Sequence, residues 1–454
     1  MNLKEFKMLV DAAIPRSPSP EINNKNFSPP PPIRACFTEQ ESDQARSDIG
    51  HIIDDLGLRY MCEQDTPDPY LGVAEIIIQE LRERGTSTEA TSNWALAIEL
   101  AAIHSTTAIR LPSKQAWTSN TRVNYLSTAI CELRKLGYNI ELPKDGGVSI
   151  SDLEIQKLAQ DIDRKAASLG NALAASASGA MEQMYSPFTG RFHIGRSGQT
   201  VEVNAKPSRP FAYLYQLGLR YSAQHPTAPF PSATYIQLVD LATWATALLD
   251  ISVGTFELMF ARSSDMVRIM KKSIMYDSVF LLAQAKPSHA REYLEWMMSH
   301  KMLSGLRDKR GRTSAQILST ATTLLRLCEN AIQHDFTLVP VQNIAYATNL
   351  DFQPAEDILH EVFTHTKGAN QTLTFPPDDK AIDAAFRPLL IINGFFAMQP
   401  APMAARATVN AALQWCRENW AKSNFDEKIL GPLFEDFVRQ KLNQHGVSVI
   451  GPEL

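Results

Sequence analysis

The chain has 454 residues, 44% of them hydrophobic and 20% charged. That mixture excludes collagen-like, coiled-coil and wholly disordered chains, and it can bury a large core without disulfides or metal. The formal net charge of −5, from 44 basic and 49 acidic residues, excludes a generally basic nucleic-acid binder and leaves only a local basic patch.

At about 150 residues per domain the length predicts about three domains. The five cysteines, Cys36, Cys62, Cys131, Cys328 and Cys416, are odd in number, widely spaced and free of any CxxC motif. They read as free thiols in a reducing cytosol, so a cytoplasmic location is expected. Met1 to Val10 lacks the apolar stretch of a signal peptide. The longest apolar run, Pro388–Met398, is broken by Asn393 and Gly394. A membrane span needs about 20 apolar residues, so none is expected.

Residues 2–13 read as a short helix with Leu3, Phe6, Leu9 and Val10 on one face. Pro15–Arg34 holds seven prolines, including Pro29–Pro32, and reads as a polyproline linker or an exposed strap. From Thr38 to Tyr185 the pattern is helical. Leu71–Glu83 carries Val73, Ile76, Ile77, Ile78 and Leu81; Glu89–Leu111 carries Trp94, Leu96, Ile98, Leu100 and Ile103; Val123–Leu136 carries Leu126, Ile130 and Leu133. Ser151 with Glu154 three residues on predicts a capping box. Arg191–Ile194 and Gln199–Val203 flank the turn-forming Gly195-Arg196-Ser197-Gly198 and predict a small hairpin. Helices resume at Pro210, and the stretch to Ser299 is expected to supply the main core. No repeat of 20–50 residues appears. The expected fold class is mainly α: a multi-helix body with a small β-hairpin and a winged-helix-like module.

The span Arg262–Arg312 holds eleven basic residues against five acidic, a net of +6 that leaves −11 on the rest of the chain. Lys271, Lys272, Arg307, Lys309, Arg310 and Arg312 are its candidate phosphate contacts. The alternative is a solvated loop ahead of the helix at Thr313.

Val341–Thr348 reads as a helix, Asn349-Leu350-Asp351 as a turn and Pro354–Phe363 as a second helix. Lys367–Asn370 is expected to turn a wing that returns through Thr372–Phe375. This run resembles a winged-helix module. Its would-be recognition helix carries Glu356, Asp357 and Glu361, which repel phosphates, so packing or protein contact is the expected use.

Several chemical motifs fail on spacing. His360 and His365 stand five residues apart, about 140° around a regular helix, where a zinc protease needs four. Neither a GxxxxGK[ST] loop nor a GxSxG elbow exists. Pro67-Asp68 with Glu80-Leu81-Arg82, and Asp378-Asp379-Lys380, are weak echoes of catalytic acids.

Asn424–Gln444 is an amphipathic helix with Ile429, Leu430, Leu433, Phe434, Phe437, Val438 and Leu442 on one stripe. Gly446 follows at the expected C′ position, and Val447–Ile450 begins a strand. Gly431-Pro432-Leu433-Phe434-Glu435-Asp436-Phe437-Val438, with Leu442, Gly446 and that strand, resembles the opening of a PD-(D/E)xK nuclease domain. The resemblance implies that Glu435 belongs to a set of acids that hold Mg²⁺ for phosphodiester cleavage. The family's Asp and ExK would lie beyond Leu454, so this chain by itself is expected to hold no cofactor and to cleave nothing. A large helical region ahead of a nuclease resembles bacterial anti-phage defence proteins.

Four segments follow from this reading: an arm at 1–37, a helical body at 38–335, the winged-helix-like module with its extension at 336–423, and the terminal helix and strand at 424–454. Two functions compete. One is the sensing or assembly region of a nucleic-acid-targeting defence protein. The other is a non-enzymatic scaffold in a multi-subunit complex. A self-contained enzyme has least support, since no cluster of titratable residues assembles by spacing. Expected partners are nucleic acid through 262–312 and another protein or a second copy, with no membrane.

Overall fold

The computed structural model describes residues 1–13, 32–63, 69–82, 93–108, 121–182, 185–186, 191–192, 209–227, 232–249, 279, 282–298, 300, 303, 305–331, 335–365, 370–376, 385–420 and 424–447. Residues 15–31 of the Pro-rich stretch, Lys271, Lys272 and residues 448–450 of the expected strand lie outside them, while Ile33–Cys36 forms a short 3-10 helix with Ile33 buried. The described chain is mainly α, with short antiparallel sheets. Among the described residues no helix is long and apolar enough to cross a membrane.

The chain divides into two compact units: 1–158 with 198–208 and 243–250, and 159–197 with 209–242 and 251–454. The first unit opens with α1 (Leu3–Ala13), whose Leu3, Phe6, Val10 and Ala13 are buried. Asn2 Oδ1 accepts from Glu5 N at 2.9 Å and Glu5 Oε2 accepts from Asn2 N at 3.0 Å, so two orphan donors are satisfied reciprocally. Helix α2 (Glu39–Glu63) starts the same way on Thr38 and Glu41. Pro69 begins α3 (Pro69–Arg82), where its missing N–H costs nothing. Helices α4 (Trp94–Ala108) and α5 (Thr121–Lys135) complete the unit's helical core. There α2 packs on α3 and α5, and α3 packs on α4. Val123, Leu126, Ile130 and Leu133 form the buried stripe of α5, as its periodicity requires.

A hairpin of β1 (Ile140–Glu141) and β2 (Ser149–Ile150) leads to α6 (Asp152–Leu169), with Ile140 opposite Ile150. Ser151 Oγ accepts from Glu154 N at 3.3 Å, but Glu154 Oε2 takes the N–H of Asn139 at 3.2 Å instead of closing the box.

The second unit contains α7 (Asn171–Glu182), α8 (Phe211–Arg220) and α9 (Ser232–Leu248) as far as Ala242. Every residue from Phe211 to Leu219 is buried, the mark of a helix enclosed on all sides. Arg191–Phe192 (β4) pairs with Tyr185–Ser186 (β3), so its described partner precedes it; residues 193–203 lie outside the described set.

The C-terminal half of this unit has its own order: α10 (Pro287–Met298), α11 (Ser314–Asn330), β5 (Thr337–Leu338), α12 (Val341–Thr348) and α13 (Phe352–Ile358). Helix α13 runs on through a π-helical turn, Leu359–Phe363. Then come β6 (Leu389–Ile392), β7 (Phe395–Met398), α14 (Ala401–Asn419), a second π turn (Asp426–Leu430) and α15 (Gly431–Gln444). The sheet order is β5-β7-β6, antiparallel throughout. Leu324, Leu325, Ile344, Ile358, Leu359, Phe363, Leu389 and Met398 share one buried cluster with α14.

Two sequence expectations change here. Thr372–Phe375 forms no strand, and the hairpin is instead Leu389–Met398, turned by Asn393 and Gly394 with φ of 54° and 81°. That pair of positive φ values is what a two-residue hairpin requires. The C-terminal helix is also interrupted by the π turn before Gly431. Its end behaves as expected: Gly446 has φ 73°, and Val447 N and Gly446 N donate to Leu442 O and Asn443 O, both at 3.0 Å. Those two bonds form a Schellman cap.

Candidate functional site

The loop Arg307–Arg312 is organised by one acid. Asp308 Oδ1 accepts from the backbone N–H groups of Arg310 and Arg312, both at 2.9 Å, and Oδ2 accepts from Arg312 Nε at 2.6 Å. Gly311 supplies the φ of +82° that closes the turn. Thr313 and Gln316 then form a full capping box that starts α11. Burial pushes the Asp308 carboxyl up, but bonds from the Arg312 side chain and backbone, the Arg312 charge and the Arg310 backbone outweigh it. The carboxyl is held below its ordinary range.

Glu361 projects from the π turn that ends α13. Its Oε2 accepts from Arg312 Nη1 at 2.8 Å, and its Oε1 pairs with Arg310 Nη1. π turns are rare and recur at functional sites, because the wider turn redirects side chains. Arg387 Nη1 ties down the same turn by donating to Glu361 O at 2.6 Å and to Val362 O. These groups line an open cleft of about 270 Å³, closed on the other side by Ala411, Gln414, Trp415, Glu418 and Asn419 of α14.

The chemistry of this cleft is that of a carboxylate already clasped by two guanidinium groups. The Arg312 side chain is 17% exposed and that of Arg310 63% exposed. The Arg312 contact is therefore the firmer of the two, since exposed pairs contribute little. The backbone of Arg307 pairs with that of Thr313, and Lys309 is exposed at the lining of the same cleft. Thus Arg310 and Arg312 are brought together but turned onto an acid, while Lys271 and Lys272 lie outside the described residues.

Glu435 is exposed on α15. The helix is held to α10 by rings, Tyr293 against Phe434 and Phe437, and Trp296 against Phe437, and by the Lys441–Glu292 pair. Among the described residues no group of three or more His, Cys, Asp or Glu side chains could hold a metal ion. His360 is exposed, and His365 Nε2 lies 3.2 Å from Arg387 O. Spacing misses Arg387 and Trp415 as members of the cleft, because each reaches Glu361's turn or the basic loop only through the tertiary fold.

Asp308→Asn removes the charge on which the loop is built. A hydrogen bond to a charged group contributes about 1.5–3 kcal/mol, so the variant is expected to lose about 2 kcal/mol at pH 7, read as a lower urea midpoint. Because the folded carboxyl titrates below its unfolded value, the unfolded state binds more protons as pH falls. The stabilisation is therefore present above about pH 4 and disappears as pH falls through the folded value. The gap between wild type and variant should narrow in acid; a gap unchanged down to about pH 3 would count against this role for the charge.

Comparison with known protein families, with curated proteins and with solved structures finds no match for this chain.

Proposed function

We propose that this chain is a non-enzymatic helical assembly protein whose C-terminal module engages protein rather than nucleic acid. One observation carries the reading: Glu361 pairs with Arg310 and Arg312, two of the six residues that the sequence offers as phosphate contacts. A phosphate would have to displace a carboxylate to reach them, and the counterion release that drives nucleic-acid binding shrinks accordingly. Helix α13 adds Glu356 and Asp357 beside Glu361. Tyr346 of α12 is 92% exposed, and Phe352 opens α13 half-exposed, the aromatic type enriched at protein interfaces.

The nucleic-acid-targeting reading draws its support from element order. A helix-turn-helix at α12–α13 followed by the β6–β7 hairpin follows the winged-helix pattern.

Fluorescence anisotropy with labelled duplex DNA, single-stranded DNA and RNA at low salt separates the two. The wild-type chain is expected to bind each weakly and to lose binding by physiological salt. Glu361→Gln frees the Arg310 guanidinium and leaves Arg312 paired with Asp308, so it is expected to tighten binding about threefold at low salt, with a steeper salt slope by about one phosphate. Tight wild-type binding that Glu361→Gln leaves unchanged would overturn the proposal in favour of the nucleic-acid reading.

A further inference from the structure

The first unit holds a pair of thiols that the cleft chemistry does not use. Cys62 lies in the last turn of α2, and Cys131 one turn before the end of α5, the helix packed against it. Cys62 Sγ reaches across to Ser127 O at 3.9 Å. Ser127 lies one helical turn before Cys131, so its carbonyl is the one that accepts the Cys131 backbone N–H. The Cys62 sulfur therefore sits beside the Cys131 backbone, near enough for the two thiols to shift each other's ionisation. One residue beyond Cys62, Glu63 pairs with Arg134 at 3.1 Å, which pins the same two turns together. Both thiols are partly accessible, whereas Cys36, Cys328 and Cys416 are buried.

We infer that Cys62 and Cys131 form a thiol-exchange site, at which a small-molecule disulfide such as oxidised glutathione joins α2 to α5 by a reversible disulfide bond. Cys131 is the attacking sulfur. Its pairing with the Cys62 thiol favours its ionisation, burial opposes it, the Arg134 and Lys135 charges favour it and Glu132 disfavours it, and the net effect lowers the thiol to about 6. Cys62, whose S–H donates to Ser127 O, is pushed up by its pairing with Cys131 and by burial. The thiolate is the nucleophile in exchange, so the pair divides into an attacking and a resolving sulfur.

The steps balance. The Cys131 thiolate attacks one sulfur of the small disulfide, that S–S bond breaks, and the first thiolate leaves and takes a proton from solvent. Cys62 gives its proton to solvent, and its sulfur attacks Cys131 Sγ in the mixed disulfide. The second thiolate leaves and is protonated. The protein loses two electrons and two protons, and the small disulfide is reduced to two thiols.

The test uses the full chain, reduced, desalted and exposed to oxidised glutathione at neutral pH, then quenched by alkylation under denaturing conditions. The expected product has lost two hydrogens, carries three alkylatable thiols in place of five, and yields a Cys62–Cys131 cross-linked peptide that a reducing dithiol abolishes. Cys62→Ser should stop at one stable glutathione on Cys131, and Cys131→Ser should gain no adduct at Cys62 in the same time. Five thiols remaining in the wild type, glutathione adducts without the cross-link, or a cross-link to a different cysteine would each overturn the proposal. The mass readout on the native protein stands even if a variant fails to fold.

Discussion

Gly218→Ala is expected to destabilise the second unit by about 3 kcal/mol or more, at the upper end of what overpacking costs. A Cβ at Gly218 would stand 2.4 Å from Ala174 N, 2.7 Å from Ala174 Cα and 2.9 Å from Ala174 Cβ. None of these is the end of a flexible side chain, so the clash is relieved only by moving α7 away from α8. Helix α8 is enclosed from Phe211 to Leu219, so such a movement opens gaps elsewhere in the core. Gly179, also in α7, provides the control. Nothing stands within 4 Å of a Cβ there, and alanine is the better helix former by about 1 kcal/mol. Gly179→Ala should therefore be neutral or stabilising while Gly218→Ala lowers the thermal midpoint sharply. Equal midpoints for the two variants would show that α7 and α8 do not approach this closely.

The module that holds the cleft shows how far local sequence reaches. Helix α12 is legible residue for residue as Val341–Thr348, because Pro340 precedes its first turn and Asn349 takes the left-handed cap with φ 53°. The stripe of α15 and its Gly446 cap are legible for the same reason: both are set within a few residues of chain. The hairpin shows the opposite failure. Asn393-Gly394 reads as a break in the apolar run Pro388–Met398, yet two four-residue strands around an Asn-Gly pair are the stronger hairpin signal than Lys367–Asn370.

The cleft is legible only in its parts. The basic loop stands out by charge, and Glu361 stands out as an acid that repels phosphate. That each answers the other across about fifty residues of chain is a tertiary fact, and no periodicity encodes it. The π turn that aims Glu361 is equally silent, since Leu359–Phe363 carries the burial pattern of an ordinary helix end. Glu435 illustrates the limit from the other side. Its helix has the expected cap, but of the stripe only Leu433 is buried on this helix; Phe434 and Phe437 meet Tyr293 of α10 at its edge, and Phe434 and Val438 stay exposed.

Gln399→Leu is expected to cost about 3 kcal/mol and to loosen the cleft, although the residue lies outside it. Gln399 and Tyr215 are fully buried, and the Tyr215 hydroxyl donates to Gln399 Oε1 at 3.0 Å. Burial pushes that hydroxyl well above the ordinary tyrosine range, so it stays a donor at any working pH. Gln399 Nε2 donates to Arg387 O at 2.6 Å, and Arg387 in turn holds the π turn that carries Glu361. A leucine of similar volume fills the space, leaves a buried hydroxyl without its acceptor, and removes a donor from Arg387 O. Each loss costs about 1–3 kcal/mol. Tyr215→Phe should cost less, about 1–2 kcal/mol, because it strips only one acceptor, and amide oxygens tolerate under-satisfaction better than donors do. The double variant decides the mechanism. Once both polar partners are gone, neither penalty is incurred at that contact, so the double variant should be more stable than the sum of the single losses by about 1 kcal/mol. Strict additivity in urea denaturation would mean that Tyr215 and Gln399 contribute separately, and that α8 does not brace the turn from which Glu361 reaches Arg310 and Arg312.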